Sequence, residues 1–152
     1  MTTMTNQEAA DAIRAHHTEM QGELGSRIDA LLEAVRSGGA SEAVRAAVLD
    51  YLDGDLLPHA AAEEEALYPA GDTGLAALLV RAMREEHRFI IGAVQRLRQA
   101  DDPVTAAATA SAVLALFEAH LWKENELLVP TLVADPQVEL AQLLAGMHEL
   151  VG

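Results

Sequence analysis

Cysteine is absent from this chain. That excludes disulfides, thiolate nucleophiles and Cys-ligated zinc or iron–sulfur centres. Any metal must therefore be held through nitrogen and oxygen. Aromatic residues are scarce, at 3%. β-Branched residues are sparse as well, and alanine and leucine dominate, which favours helices packed closely on small side chains. Cations are also few: 10 Lys and Arg stand against 24 Asp and Glu, a net charge of −14. This balance argues against a nucleic acid or an anionic membrane as partner. No uninterrupted apolar run reaches the roughly 18 residues of a membrane span. The first twenty residues are polar and acidic where a secretory leader would be apolar. The expectation is a cytoplasmic protein with a single domain over residues 1–152, long enough for a substantial core.

The punctuation predicts four long helices. Thr5 and Glu8 have the spacing of a capping box and open a helix over about 6–36, which "SGGA" at 37–40 ends. Ser41 caps a second helix running to about 68, kinked by Gly54 and Pro58 and stopped by Pro69. A third covers about 75–100. Asp102 as N-cap and Pro103 as first helical residue open a fourth, which Pro130 stops. Asp135-Pro136 opens a short fifth helix near 136–149. Short connections between long helices imply an all-α fold, an antiparallel up-down-up-down four-helix bundle with a short C-terminal fifth helix.

Histidines fall within the apolar stripes. On the first helix Ile13, His17, Met20, Leu24, Ile28, Leu31 and Val35 recur at spacings of three and four. His16 lies one residue to the side of that stripe and is the alternative to His17. On the third helix Met83, His87, Ile90, Ile91, Val94 and Leu97 share one phase.

The second and fourth helices carry a repeat. "HAAAEEEALYP" at 59–69 and "HLWKENELLVP" at 120–130 place His, Glu, Glu, Leu and Pro at the same offsets. His59 and Glu63 are four apart, as are His120 and Glu124, so each pair lies on one helix face and can grip one ion. Glu65 and Glu126 are rotated away into solvent. Leu56, Leu67, Leu128 and Leu116 or Phe117 continue the inward faces. A lone inward histidine is usually a hydrogen-bonded core residue, and a lone HxxxE pair is usually a surface contact. Four histidines and two glutamates together, a set on every helix in the apolar phase, are costly to bury without a cation. The pattern H…HxxxE…H…HxxxE gives each half of the chain the same contribution, as two ions related by a pseudo-axis require. Imidazole and carboxylate suit iron, zinc or manganese, and six such groups fit two octahedral-leaning ions better than one tetrahedral zinc. Tyr51 is a candidate extra ligand or a support behind the ligands. Tyr68 and Trp122, next to the motifs, are candidates for support behind the ligands, with core or boundary packing the favoured role for each, and His148 is assigned a structural or exposed role.

With "REEHRFI" around His87, the two motifs resemble those of the hemerythrin-like, or HHE cation-binding, family, from His17 to Pro130. The resemblance implies a four-helix bundle with a carboxylate-bridged non-haem di-iron centre, oxo- or hydroxo-bridged, on His17, His59, Glu63, His87, His120 and Glu124. The oxygen carriers of that family have a further histidine where this chain has Met83, and HxxxxD where it has HxxxE. Reversible oxygen carriage is therefore not the expectation. Dioxygen or hydrogen peroxide is the expected partner of a bacterial di-iron protein with catalase-like or peroxide-handling chemistry, with exchangeable positions on both ions. The alternatives are an oxygen, iron or redox sensor, and a structural interaction module with a zinc-filled or vestigial site. Relatives often continue into a further small domain, and "GMHELVG" looks like the start of such a junction. Oligomeric state is left open.

Overall fold

The computed structural model describes residues 3–152, and among these residues every regular element is helical. α1 spans Asn6–Arg36 and opens on the expected capping box: Glu8 N–H donates to Thr5 Oγ1 at 3.2 Å, and Thr5 N–H donates to Glu8 Oε2 at 2.8 Å. α2 is a rod of successive helical segments from Glu42 to Gly71. Ser41 stands at its N-cap but makes no capping hydrogen bond through its side chain. α3 spans Ala76–Gln99, and α4 runs Pro103–Ala134 behind Asp102, whose carboxylate accepts from Thr105 N–H at 2.8 Å. α5 spans Leu140–Val151. It starts later than the sequence suggests because Asp135 holds 135–138 in a turn, accepting from Gln137 N–H through its side chain and from Val138 N–H through its carbonyl. Asn6 ties the start of α5 to that of α1, donating to Val138 O and accepting from Leu140 N–H, both at 2.8 Å.

Proline does not stop α2 or α4. Both rods continue through Pro69 and Pro130, to Gly71 and Ala134. The reason lies in the turn before each proline. Leu52–Leu56, Glu63–Leu67 and Glu124–Leu128 are π-helical, closed by i→i+5 bonds from Leu57 N–H to Leu52 O, Tyr68 N–H to Glu63 O, and Val129 N–H to Glu124 O. Each is followed one residue later by a proline: Pro58, Pro69 and Pro130. A proline ring crowds the carbonyl four residues back and offers it no N–H. Widening the preceding turn accommodates both defects. Two of the three π-turns begin at the glutamates of the repeated motif, so the repeat extends to backbone geometry.

α1 packs against α4 and the start of α2, α3 against α4, and α5 against α1 and the second half of α2. The core divides in two. One cluster joins Met20, Leu24, Ile28 and Leu31 to Leu52, Leu56, Ile90, Leu97 and Phe117; the other joins Ile13, Leu67, Tyr68, Met83 and Leu128 to Leu132, Leu140 and Met147. Between them lies a buried polar layer: His17, His59, Glu63, His87, His120 and Glu124. Ile91 and Trp122 depart from expectation: both are exposed, at 44% and 59%, on the outward sides of α3 and α4. Leu116 is half-buried and Phe117 takes the inward position. Among the described residues α4 alone is long and apolar enough to cross a membrane, but here its inner face, with His120 and Glu124, is packed inside the bundle.

Candidate metal centre

The buried layer gathers all six side chains that the sequence singles out. His17, His59, His87, His120, Glu63 and Glu124 are each no more than 8% exposed. They form two sets of converging ligand atoms, His17–His59–Glu63 and Glu63–His87–His120–Glu124, each set within 4.8 Å of one another. Glu63 belongs to both. Glu124 also spans them, with Oε1 2.6 Å from His120 Nε2 and Oε2 3.9 Å from His17 Nε2. On the other side, Glu63 Oε1 is 3.1 Å from His59 Nε2.

The histidines present Nε2 to the centre. His17 Nε2 is 3.3 Å from His59 Nε2, and His87 Nε2 is 3.0 Å from His120 Nε2. Three of the outer nitrogens are occupied: His17 Nδ1 lies 2.7 Å from Asn125 Oδ1, His87 Nδ1 2.8 Å from Glu64 Oε1, and His120 Nδ1 3.2 Å from Glu86 Oε1. These acceptors place a proton on Nδ1 of His17, His87 and His120, which leaves an inward Nε2 lone pair on each of these rings when it is neutral. Donation from the outer nitrogen to a carboxylate or amide is the support that metal-bound imidazoles use. Sequence reasoning missed Glu64, Glu86 and Asn125. Their signal is positional: Glu64 and Asn125 each follow a motif glutamate, and Glu86 precedes His87.

Tyr68 takes the less favoured of its two expected roles, beside the ligands. It is fully buried, and its hydroxyl lies 2.9 Å from His120 Nε2 and 3.3 Å from both His87 Nε2 and Glu124 Oε1. Tyr51 does not reach the layer as ligand or support: its hydroxyl donates to Met20 O at 3.4 Å, and its ring sits in the neighbouring apolar cluster under Arg27. His16 is exposed while His17 is 1% exposed, so the phase of α1 favours His17. His148 is exposed too. A cavity of about 200 Å³ runs beneath α5 from the buried His17 and His59 to the exposed His16 and His148.

The fit to a cation rests on unsatisfied chemistry. Glu63 Oε2 and Glu124 Oε2 are buried without a hydrogen-bond partner. Imidazole nitrogens crowd one another across both histidine couples. An all-nitrogen-and-oxygen donor set around two orphaned carboxylate oxygens suits hard or borderline divalent and trivalent ions. A model of the hemerythrin HHE cation binding domain matches residues 8–132. The chain belongs to the hemerythrin HHE cation-binding family. No curated protein and no solved structure matches it. Membership of the HHE family and the buried His/Glu clusters together point to metal binding.

Without a cation this HHE domain carries an electrostatic burden. Burial, with His17 beside it, pushes the His59 imidazole down to about 3. Burial and then His120 lower His87. Burial, reinforced by Glu124, drives the Glu63 carboxyl well up. Burial also pushes Glu124 upward, but the neighbouring Glu63 carboxyl and the His120 and His17 imidazoles overcome it and hold Glu124 down. Burial likewise opposes charge on His120, and its bonds to Glu124 and Glu86 outweigh that and raise it. Burial and then Glu124 push the Tyr68 phenol well up.

These directions fix a pH dependence. Groups raised by folding, Glu63 and His120, stabilise the fold while protonated, and that stabilisation is lost as pH rises through their folded values. His59 and His87, lowered by folding from the usual 6.5, add stability as pH rises until the unfolded rings are neutral as well, about one unit higher. Beyond about pH 7.5 the metal-free HHE domain is therefore expected to lose stability, by up to about 1.4 kcal/mol per unit for each group still protonated. The loaded protein should show the opposite slope, because protons compete with the ion for the same atoms. Urea midpoints at several pH values, with and without chelator, measure both slopes. Parallel slopes would refute the assignment of these groups to the ion.

Proposed function

We propose that this chain is a cytoplasmic, bacterial di-iron protein that reacts with dioxygen or hydrogen peroxide, on a bundle whose first four helices alternate in direction. The observation that carries the reading is a pair of nitrogen-and-oxygen clusters that share Glu63 and are spanned by Glu124. Two ions bridged by carboxylates need that arrangement, and a single tetrahedral zinc does not.

When bound, an iron pair supplies two-electron exchange with an oxidant. His17 and His59 would hold one ion, and His87 and His120 the other. Glu64 and Glu86 draw on the Nδ1 protons of His87 and His120, which makes those rings more basic donors. The Tyr68 hydroxyl can donate a proton at the His120 and Glu124 side. Apolar residues of the two core clusters keep bulk water from the layer, and the cavity beneath α5 leaves one approach for a small molecule. Met83 is fully buried one turn before His87, where it adds no strong ligand.

The test is metal content followed by reaction. About two irons per chain are expected, with near-ultraviolet absorption from a bridged ferric pair and oxygen release from added hydrogen peroxide above that of free iron. His17→Ala should lose iron, whereas His16→Ala should retain most of it. One zinc per chain without that absorption would replace this reading with a structural module. Two irons without peroxide turnover would leave a di-iron protein of another kind, such as a sensor.

A further inference from the structure

The chain has six histidines, and four of them, His17, His59, His87 and His120, stand in the buried layer. The other two, His16 on α1 and His148 on α5, are exposed, and both line the cavity beneath α5. The His16 ring lies against the His59 ring, with centroids 5.2 Å apart. A second cavity, of about 150 Å³, shares His16 and His59 with the first and is lined by the exposed Asp55. Of the six layer residues His59 is the most exposed, at 8% against 3% or less for the others. The other histidines of the layer have cations behind them. Behind His87, Glu64 lies 3.8 Å from Arg84, which also covers the Tyr68 ring. Behind His120, Glu86 is ion-paired to Lys123. Behind His17, the Asn125 carbonyl accepts from Arg14 at 3.1 Å. Each puts a positive charge on a path that an incoming cation would take. Among the described residues, no Lys or Arg lines either cavity at His59.

We propose that His16 and His148 are transient ligands that pass a divalent cation of the ferrous type from solvent to His59, and so load the centre. This rests on the metal-binding reading above. A hydrated dication loses its waters at a cost, and the Ile13, Leu67 and Leu144 walls of the cavity have no atom to replace them. Imidazole is a suitable replacement for an ion of this class. The contact between the His16 and His59 rings sets an outer donor beside an inner one. Asp55 supplies the attraction, because an acidic cleft between apolar walls concentrates cations. The role is kinetic. Neither His16 nor His148 is among the six side chains that hold the bound ions, so the final affinity is unchanged without them. Release along the same route must then slow by the same factor as loading.

Loading and release rates test this on the full chain. Protein stripped by chelator is mixed with ferrous iron under nitrogen, and iron protected from a fast chelator is counted per chain against time. His16→Ala with His148→Ala should load about tenfold more slowly and still reach the wild-type content. Once loaded, that variant should also release iron to excess chelator about tenfold more slowly than the wild type. Loading of the wild type should slow as ionic strength rises. Asp55→Lys should slow loading and remove most of that salt dependence. Glu42→Lys, the same change of charge at the start of α2, should do neither. Wild-type loading in the double histidine variant would overturn the handover and leave the metal reading intact. Faster release from that variant would also overturn it, because it marks side chains that stabilise the bound ion or the fold and do not pass the ion on. A wild type that never protects iron would overturn the metal reading and this proposal together.

Discussion

Stripping the metal is expected to lower the melting temperature by about 8–16 °C. A ligand present at a thousandfold over its Kd, bound by the folded chain alone, stabilises it by about 4 kcal/mol. A chain of this length shifts by about 2–4 °C per kcal/mol. The unfolded chain cannot assemble ligands from α1, α2, α3 and α4, so nearly all of the binding energy appears as folding energy. Without the cation, Glu63 Oε2 and Glu124 Oε2 stay buried and unpartnered, and four inward imidazole nitrogens oppose one another. Calorimetry before and after chelation measures the shift, and re-addition of iron should restore it. An unchanged melting temperature would mean that the six side chains do not hold the ion together.

The second large effect has the opposite sign for stability. Glu63→Gln with Glu124→Gln should abolish binding of at least one ion per chain, yet make the metal-free fold more stable by about 1–4 kcal/mol. Both carboxylates are almost fully buried, at 2% and 0% exposed. Neutralising a buried charged cluster at constant volume relieves the desolvation cost while keeping the packing. Glutamine also brings N–H donors for the neighbouring imidazole lone pairs. Urea unfolding of chelated wild type and variant gives the difference. A less stable metal-free variant would show that the carboxylates are satisfied by the protein itself. The expected trade is the usual one at a binding site, where groups placed for a ligand weaken the fold that lacks it.

The sequence made the inward face legible because apolar periodicity and titratable residues coincide there. His17 in phase with Ile13 and Met20, and His87 in phase with Met83 and Ile90, were placed correctly by counting turns of 3.6 residues. Tyr68 was not, for a definite reason. Five residues beyond Glu63 in an ordinary α-helix is about 140° away, which points a side chain off the ligand face. The π-turn at Glu63–Leu67 spends five residues on one turn and carries Tyr68 back over Glu63. The same turn in α4 carries Val129 round. Pro69 and Pro130 read as stops because a straight α-helix cannot absorb them; here the widened turn does. Glu64, Glu86 and Asn125 escaped notice because half-buried polar residues look like surface until the partner helix is in place. Tyr51 was raised as a ligand on residue type alone, and its distance along α2 from His59 puts its hydroxyl against the backbone of α1 instead.

The polar layer between the two apolar clusters has a mechanical consequence. Each cluster draws on α1, α2, α3 and α4, so every one of these rods passes through the layer and is anchored separately on both sides of it. Bridging ions would clamp the rods at that seam and make the two halves one cooperative unit. Once the ions leave, water has reason to enter a cleft lined by carboxylate and imidazole. The halves can then open independently, with α5 and the start of α1 on one side and the end of α1 with the start of α2 on the other. In amide hydrogen exchange the loaded protein would present one protected block. The stripped protein would present two blocks of different depth, divided near residues 17, 59, 87 and 120.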